Sequence, residues 1–143
     1  MTLVTVEVPA TLVGPLRETL ILLYQATAEA LHFALRDHGE RGRRLSEVHD
    51  HRARLAQLDA LLERLGWSAR GGQGPIELTA TRDVLHDALY GALIDAGERL
   101  ATACSRSYRD EAEWGSVRAA AEEVLALDRL LRTVREQRRG STG

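Results

Sequence analysis

Residues 6–11, VEVPAT, recur as IELTAT at residues 76–81, and each copy leads into a long apolar stretch with helical spacing. With one residue skipped near Gly14-Pro15, the correspondence continues at an offset of 69. Leu16, Leu20, Glu29 and Leu31 then match Leu85, Leu89, Glu98 and Leu100, and LDALL at 58–62 matches LDRLL at 127–131. Leucine-rich helices match one another easily, so the weight lies on agreement of three separate segments, the strand and the Leu-Asp pair included. A chain that repeats itself is expected to build one unit twice and to bury apolar faces between the copies. The repeat constrains architecture and says little about chemistry.

Leu3 to Val8 alternates, with Val4, Val6 and Val8 on one side and Thr5 and Glu7 on the other, which predicts a short strand ended by Pro9. A helix is expected from Leu12 or Leu16, with Gly14-Pro15 at its start, to Asp37-His38, where Gly39 stops it. A second helix is expected from Ser46 to Leu65, closed by Gly66 with Trp67 packing back on the last turn. The glycine-rich segment 66–75 reads as the linker. The second copy follows: strand Ile76 to Thr79, cap Thr81, and helix Arg82 to Ser105. A last helix starts between Ser107 and Ser116 and ends in the arginine-rich turn before Gly140. Ser107-x-x-Asp110 and Gly115-Ser116 compete for that start.

Placed at 100° steps, the first helix carries Leu16, Leu20, Leu23, Thr27, Leu31 and Ala34 on one stripe, and the second carries Val48, Leu55, Leu58, Leu62 and Leu65. The matching stripes are Leu85, Leu89, Ala92, Ala96, Leu100 and Ala103, then Val117, Val124, Leu127, Leu131 and Val134. The expected fold is therefore mainly α: a single domain over residues 1–143, a pseudo-two-fold four-helix bundle. It is made of two tandem strand-helix-helix repeats (3–66 and 75–138) with a small two-stranded antiparallel ribbon. This layout resembles, in topology, the ribbon-helix-helix DNA-binding dimers with both subunits fused in one chain. The likeness covers residues 4–20 and 76–90, and the helices here are much longer. In that family the outward ribbon residues read the major groove. Here those positions include Glu7 and Glu77, and acids facing phosphate oppose binding. The resemblance is one of shape and brings no function with it.

Composition excludes more than it assigns. The chain contains neither lysine nor asparagine. That removes a Walker A lysine, a Schiff-base lysine and a kinase-type ATP-binding lysine. A net charge of −2 gives no global pull toward nucleic acid or an anionic membrane. One cysteine makes no intramolecular bridge and fits a reducing compartment. The alternating N-terminus does not read as a secretory signal, and the apolar run at Leu20–Tyr24 is too short to span a bilayer. A cytoplasmic protein is expected.

Asp59 and Asp128 lie at the edge of the apolar stripe in both copies. Partly buried carboxylates can serve in catalysis, but each is expected to pair with a nearby arginine. Glu29 and Glu98, with Glu18 and Asp87, point away from the stripes and are expected to make i,i+4-type surface pairs. Glu29-x-x-His32 and Asp83-x-x-His86 have di-iron spacing, but Glu29 and His32 lie opposite the core, where such ligands cannot converge. His38, Glu47, His49, Asp50 and His51 gather near the first interhelix turn and offer imidazole and carboxylate ligands. On a helix, however, His49 and His51 diverge by about 200°, and Arg41, Arg43, Arg44 and Arg52 repel a cation. An exposed polar turn is expected there.

Those arginines, with Arg135, Arg138 and Arg139, could bind an anion, yet no aromatic residues interleave them for stacking on bases. Cys104 reads as a structural thiol. GGQG at 71–74 precedes a strand and so fails as a nucleotide loop, and GSTG at 140–143 reads as a frayed end. No catalytic, cofactor or metal residue is assigned. Ile21, Leu22 and Phe33 on the first helix, and Tyr90 and Ile94 on the third, add apolar surface beyond what a four-helix core needs. They are expected to lie under the ribbon or to form an oligomer interface. The expected function is a non-enzymatic scaffold or protein-interaction module whose partner is a second copy of itself, a homodimer, or another protein. The alternative is a small-ligand or metal-binding bundle, with an enzyme included in that class.

Overall fold

In the computed structural model, residues 2–38, 45–66, 75–108, 110–111 and 114–140 are described. Six elements follow in order: β1 (Leu3–Val8), α1 (Ala10–His38), α2 (Leu45–Leu65), β2 (Ile76–Thr81), α3 (Arg82–Ser107) and α4 (Trp114–Gly140). Among the described residues, four helices and one two-stranded antiparallel sheet make a mainly helical fold. No described helix is long and apolar enough to cross a membrane.

The strands pair from Leu3 opposite Thr81 to Val8 opposite Ile76, which sets Glu7 directly across from Glu77. Alternation then does what period two requires. Val4, Val6, Val8, Leu78 and Ala80 are buried beneath the ribbon, while Leu3, Glu7, Glu77 and Thr79 face out. β2 runs two residues past the expected end because Ala80 and Thr81 complete the pairing with Val4 and Leu3.

α1 begins earlier than its proline suggests. Leu12 N–H donates to Pro9 O at 2.9 Å, which turns the chain straight from β1 into the helix. Pro15 therefore sits inside the helix and withholds an N–H from the Thr11 carbonyl. Thr11 is exposed, so that carbonyl lies beside water. α2 ends as expected at Gly66, whose φ of 86° lies in the left-handed region open to glycine. α3 runs through Ser107, whose hydroxyl donates back to Cys104 O at 2.8 Å. Ser107 is thus no cap for α4, which starts at Trp114 with Gly115 and Ser116 in its first turn. Thr81 does stand at the N-cap of α3, but its side chain makes no capping bond. Gly39, Trp67 and the linker 67–74 lie outside the described residues.

The expected stripes face inward, with Leu23, Leu31, Leu55, Leu100, Val117 and Val124 half-buried and the remainder buried. The main contacts pair α1 with α2 and α3 with α4, and the two hairpins meet at one end. The connected core draws on Leu12 to Leu20 of α1, Leu58 to Leu65 of α2, Val84 to Ala96 of α3 and Leu127 to Val134 of α4, all under the ribbon. Ala34, Val48 and Ala103 are buried but belong to the distal halves, outside that cluster.

Each strand rests on the far hairpin. β1, which leads into α1, lies against α4, and β2, which leads into α3, lies against α2. Side chains close both free edges of the ribbon. Gln137 of α4 accepts from Thr5 N–H at 3.1 Å through Oε1 and donates to Thr5 O through Nε2. Gln57 Oε1 of α2 accepts from Thr81 N–H at 2.8 Å, and Arg64 Nε donates to Glu77 O at 3.3 Å. A two-stranded ribbon is marginal in water alone, and here the helices beneath and beside it hold it.

Candidate interaction surface

α1 and α3 cross where Gly91 faces Thr19. A Cβ on residue 91 would come within 2.9 Å of Thr19 Cγ2, so the missing side chain is what lets the helices approach. Thr19 is itself fixed by a hydroxyl bond of 3.2 Å to Pro15 O. Ile21 packs against the core beside this crossing. The other four side chains of the expected apolar surplus do not lie under the ribbon. Leu22 is 65% exposed and Phe33 50% on α1, and Tyr90 is 47% and Ile94 48% exposed on α3. Leu35, near the end of α1, is also exposed.

The solvent stripe of α1 is continuous. Glu18, Leu22, Gln25, Ala26, Glu29, Phe33 and Arg36 are all exposed and fall within an arc of about 100° at helical spacing. His32 meets Phe33 edge to face, with ring centroids 5.6 Å apart. On α3 the Tyr90 ring stacks on His86 at 5.9 Å. Beside it Asp87 binds Arg54 of α2 at 2.6 Å. That overturns the expected i,i+4-type surface role of Asp87. Its partner is on another helix, and the bond ties α2 to α3.

Among the other carboxylates, Asp128 pairs with a nearby arginine as expected, Arg132 at 2.6 Å, but the pair lies four residues apart on α4 itself and fixes no register between helices. Asp59 is exposed. Glu29 and His32 face solvent together, Glu98 and Asp83 are exposed, and His86 is half-buried. Glu47, His49, Asp50 and Arg52 are exposed and His51 half-buried. The His38 side chain and Arg41, Arg43 and Arg44 lie outside the described residues, as do the Arg138 and Arg139 side chains, GGQG and the tail from Ser141. Arg135 is exposed. Among the described residues no three His, Cys, Asp or Glu side chains are grouped to hold a metal ion. Cys104 is a free, half-buried thiol.

A shallow polar groove of about 470 Å³ lies between α3 and the start of α4, lined by Asp95, Glu98, Arg99, Thr102, Arg106 and Ser116. Arg99 is occupied there by Asp95 at 3.4 Å and by Glu123 at 2.5 Å. Both signs of charge line the groove and largely neutralise one another. Sequence reasoning missed Arg17, which is only 7% exposed. Its Nε donates to Gly66 O at 2.7 Å and its Nη2 to Leu65 O at 3.1 Å, so it caps the end of α2 from α1. The available signal was an arginine four residues after Val13 and three before Leu20, a position on a buried face that needs acceptors.

Comparison of the chain with protein-family models, with curated proteins and with solved structures gives no match.

Proposed function

We propose that the chain is a non-enzymatic helical scaffold that associates with a second copy of itself through the outer surfaces of α1 and α3. The observation that carries this reading is the set of large apolar side chains left in water on those two helices, Leu22, Phe33, Tyr90 and Ile94. Monomers seldom leave apolar side chains of this size clustered in solvent without use. The same reading takes the chain as two copies of one unit fused about a pseudo-two-fold axis. Support comes from Glu7 and Glu77, equivalent in the repeated motif and directly opposed in the ribbon. Further support is the reciprocal seating of β1 on α4 and β2 on α2. A cytoplasmic location belongs to the same proposal and rests on the lone free cysteine.

The ligand-binding alternative has less behind it, because Asp128 and Arg99 are already engaged within the chain. Native mass spectrometry of the untagged protein before and after chelation separates the two. A dimer of unmodified mass, unchanged by chelator and reduced to monomer by Leu22→Asp with Tyr90→Asp, is expected. A monomer carrying extra mass would overturn the scaffold reading and send the search to the groove and the aspartates.

A further inference from the structure

The proposed self-association leaves open which helix meets which. The outward stripe of α1 reads nearly the same in both directions: Glu18, Leu22, Gln25, Glu29, Phe33, Arg36. Reversed about Thr27, Glu18 falls opposite Arg36, Ile21 opposite Phe33, Leu22 opposite His32, and Gln25 opposite Glu29. Glu18 then meets a cation and Glu29 an amide donor, while Phe33 meets Ile21 and Leu22 meets the His32 ring. Ala26, beside the midpoint, is small enough for close approach. Thr27 itself is buried on the other side of the helix, so it does not intrude. Within the chain, Glu18, Glu29 and Arg36 join no ion pair among the described residues, so their charges are available to a partner.

From this self-complementary order we infer that the dimer forms by antiparallel packing of α1 on α1 of the second copy, about a two-fold axis at residue 27. The inference rests on the self-association proposed above and makes it specific. A two-fold contact must use one patch twice, each residue meeting its complement across the axis. A stripe whose charged and amide groups complement one another on reversal meets that condition, whereas a parallel arrangement would set Glu18 on Glu18 and Glu29 on Glu29. About 27 Å of helix lies between Glu18 and Arg36 at 1.5 Å per residue.

The test is a charge swap on the full chain, using exposed positions whose substitution leaves the core intact. Glu18→Arg alone sets Arg against Arg36 of the partner, and Arg36→Glu alone sets Glu against Glu18. Sedimentation equilibrium should show the dimer Kd of each rising about tenfold, since surface pairs are individually modest and two are reversed. Mixing the two variants in equal amounts should restore the wild-type Kd, because each then supplies what the other lacks. The double variant E18R/R36E should likewise restore it alone. Wild-type protein that stays monomeric at high concentration removes the self-association reading altogether. A wild-type dimer indifferent to these swaps, yet dissociated by Tyr90→Asp with Ile94→Asp, keeps self-association and overturns the α1 pairing.

Discussion

Arg17 is a charged side chain that the fold buries and uses as a donor to two carbonyls. Its guanidinium reaches from α1 to two carbonyls at the end of α2, where no further helical N–H exists to meet them. Arg17→Met keeps much of the apolar stem and removes both bonds. It should cost about 2–3 kcal/mol, the usual range for buried acceptors losing a charged donor. Urea unfolding should show this as a lower midpoint with an unchanged slope. Glu7 and Glu77 present the opposite case. They face one another on the outer side of the ribbon, where the neighbouring Thr5 and Thr79 hydroxyls are 2.9 Å apart. Like charges directly opposed destabilise a strand pair. Glu77→Gln should therefore stabilise the protein by roughly 0.5 kcal/mol, and added salt should shrink the gain. If the variant is less stable at every ionic strength, the two carboxylates are not in conflict. The sequence placed Glu7 and Glu77 outward and Arg17 on a buried face, but not their partners, which lie 48 to 70 positions away.

Elements were far more legible than their contacts. Period-two alternation over Leu3–Val8 and heptad-like stripes in all four helices need only local order, and both survive into the fold. Boundaries failed where a tertiary or turn bond outvoted local propensity. The Pro9 carbonyl starts α1 ahead of Pro15, whereas α4 starts at Trp114, inside the expected range, with the Ser107 hydroxyl donating to Cys104 O at the end of α3. Sequence periodicity could locate Leu22, Phe33, Tyr90 and Ile94 off the main stripes, but only the packing of neighbouring helices could show that they stay largely in solvent. The α1–α3 crossing offers an element-level test. Glycine inside a helix costs about 1 kcal/mol relative to alanine, so Gly91→Ala would ordinarily stabilise. Here the added Cβ meets Thr19 Cγ2 at 2.9 Å, a short branched side chain held by its own hydroxyl bond. Gly91→Ala should lower the melting temperature in the wild-type background. In a Thr19→Ala background the same change should raise it. Equal shifts in both backgrounds would mean that the helices do not touch at this point.

At the scale of the molecule, the core under the ribbon is one cluster that spans both hairpins, while the distal half of each hairpin is held chiefly by its own partner helix. Amide hydrogen exchange should therefore resolve two tiers. Amides of Leu20, Leu62, Leu89 and Leu131 should exchange only through global unfolding and share one opening free energy. Those near Ala34 and Ala103 should open earlier. A uniform protection level along α1 and α3 would contradict this division.

The seating of the strands also makes the molecule a clasp. β1 is tied by the chain to one hairpin and by packing to the other, and β2 is tied in the converse way. Pulling the hairpins apart must peel each strand from the helix it rests on in the far hairpin. Gln137, Gln57 and Arg64 act as pins along that seam. Resistance to separation is thus shared between the helical core and a dozen strand residues, the smallest elements of a protein whose mass is almost entirely helix.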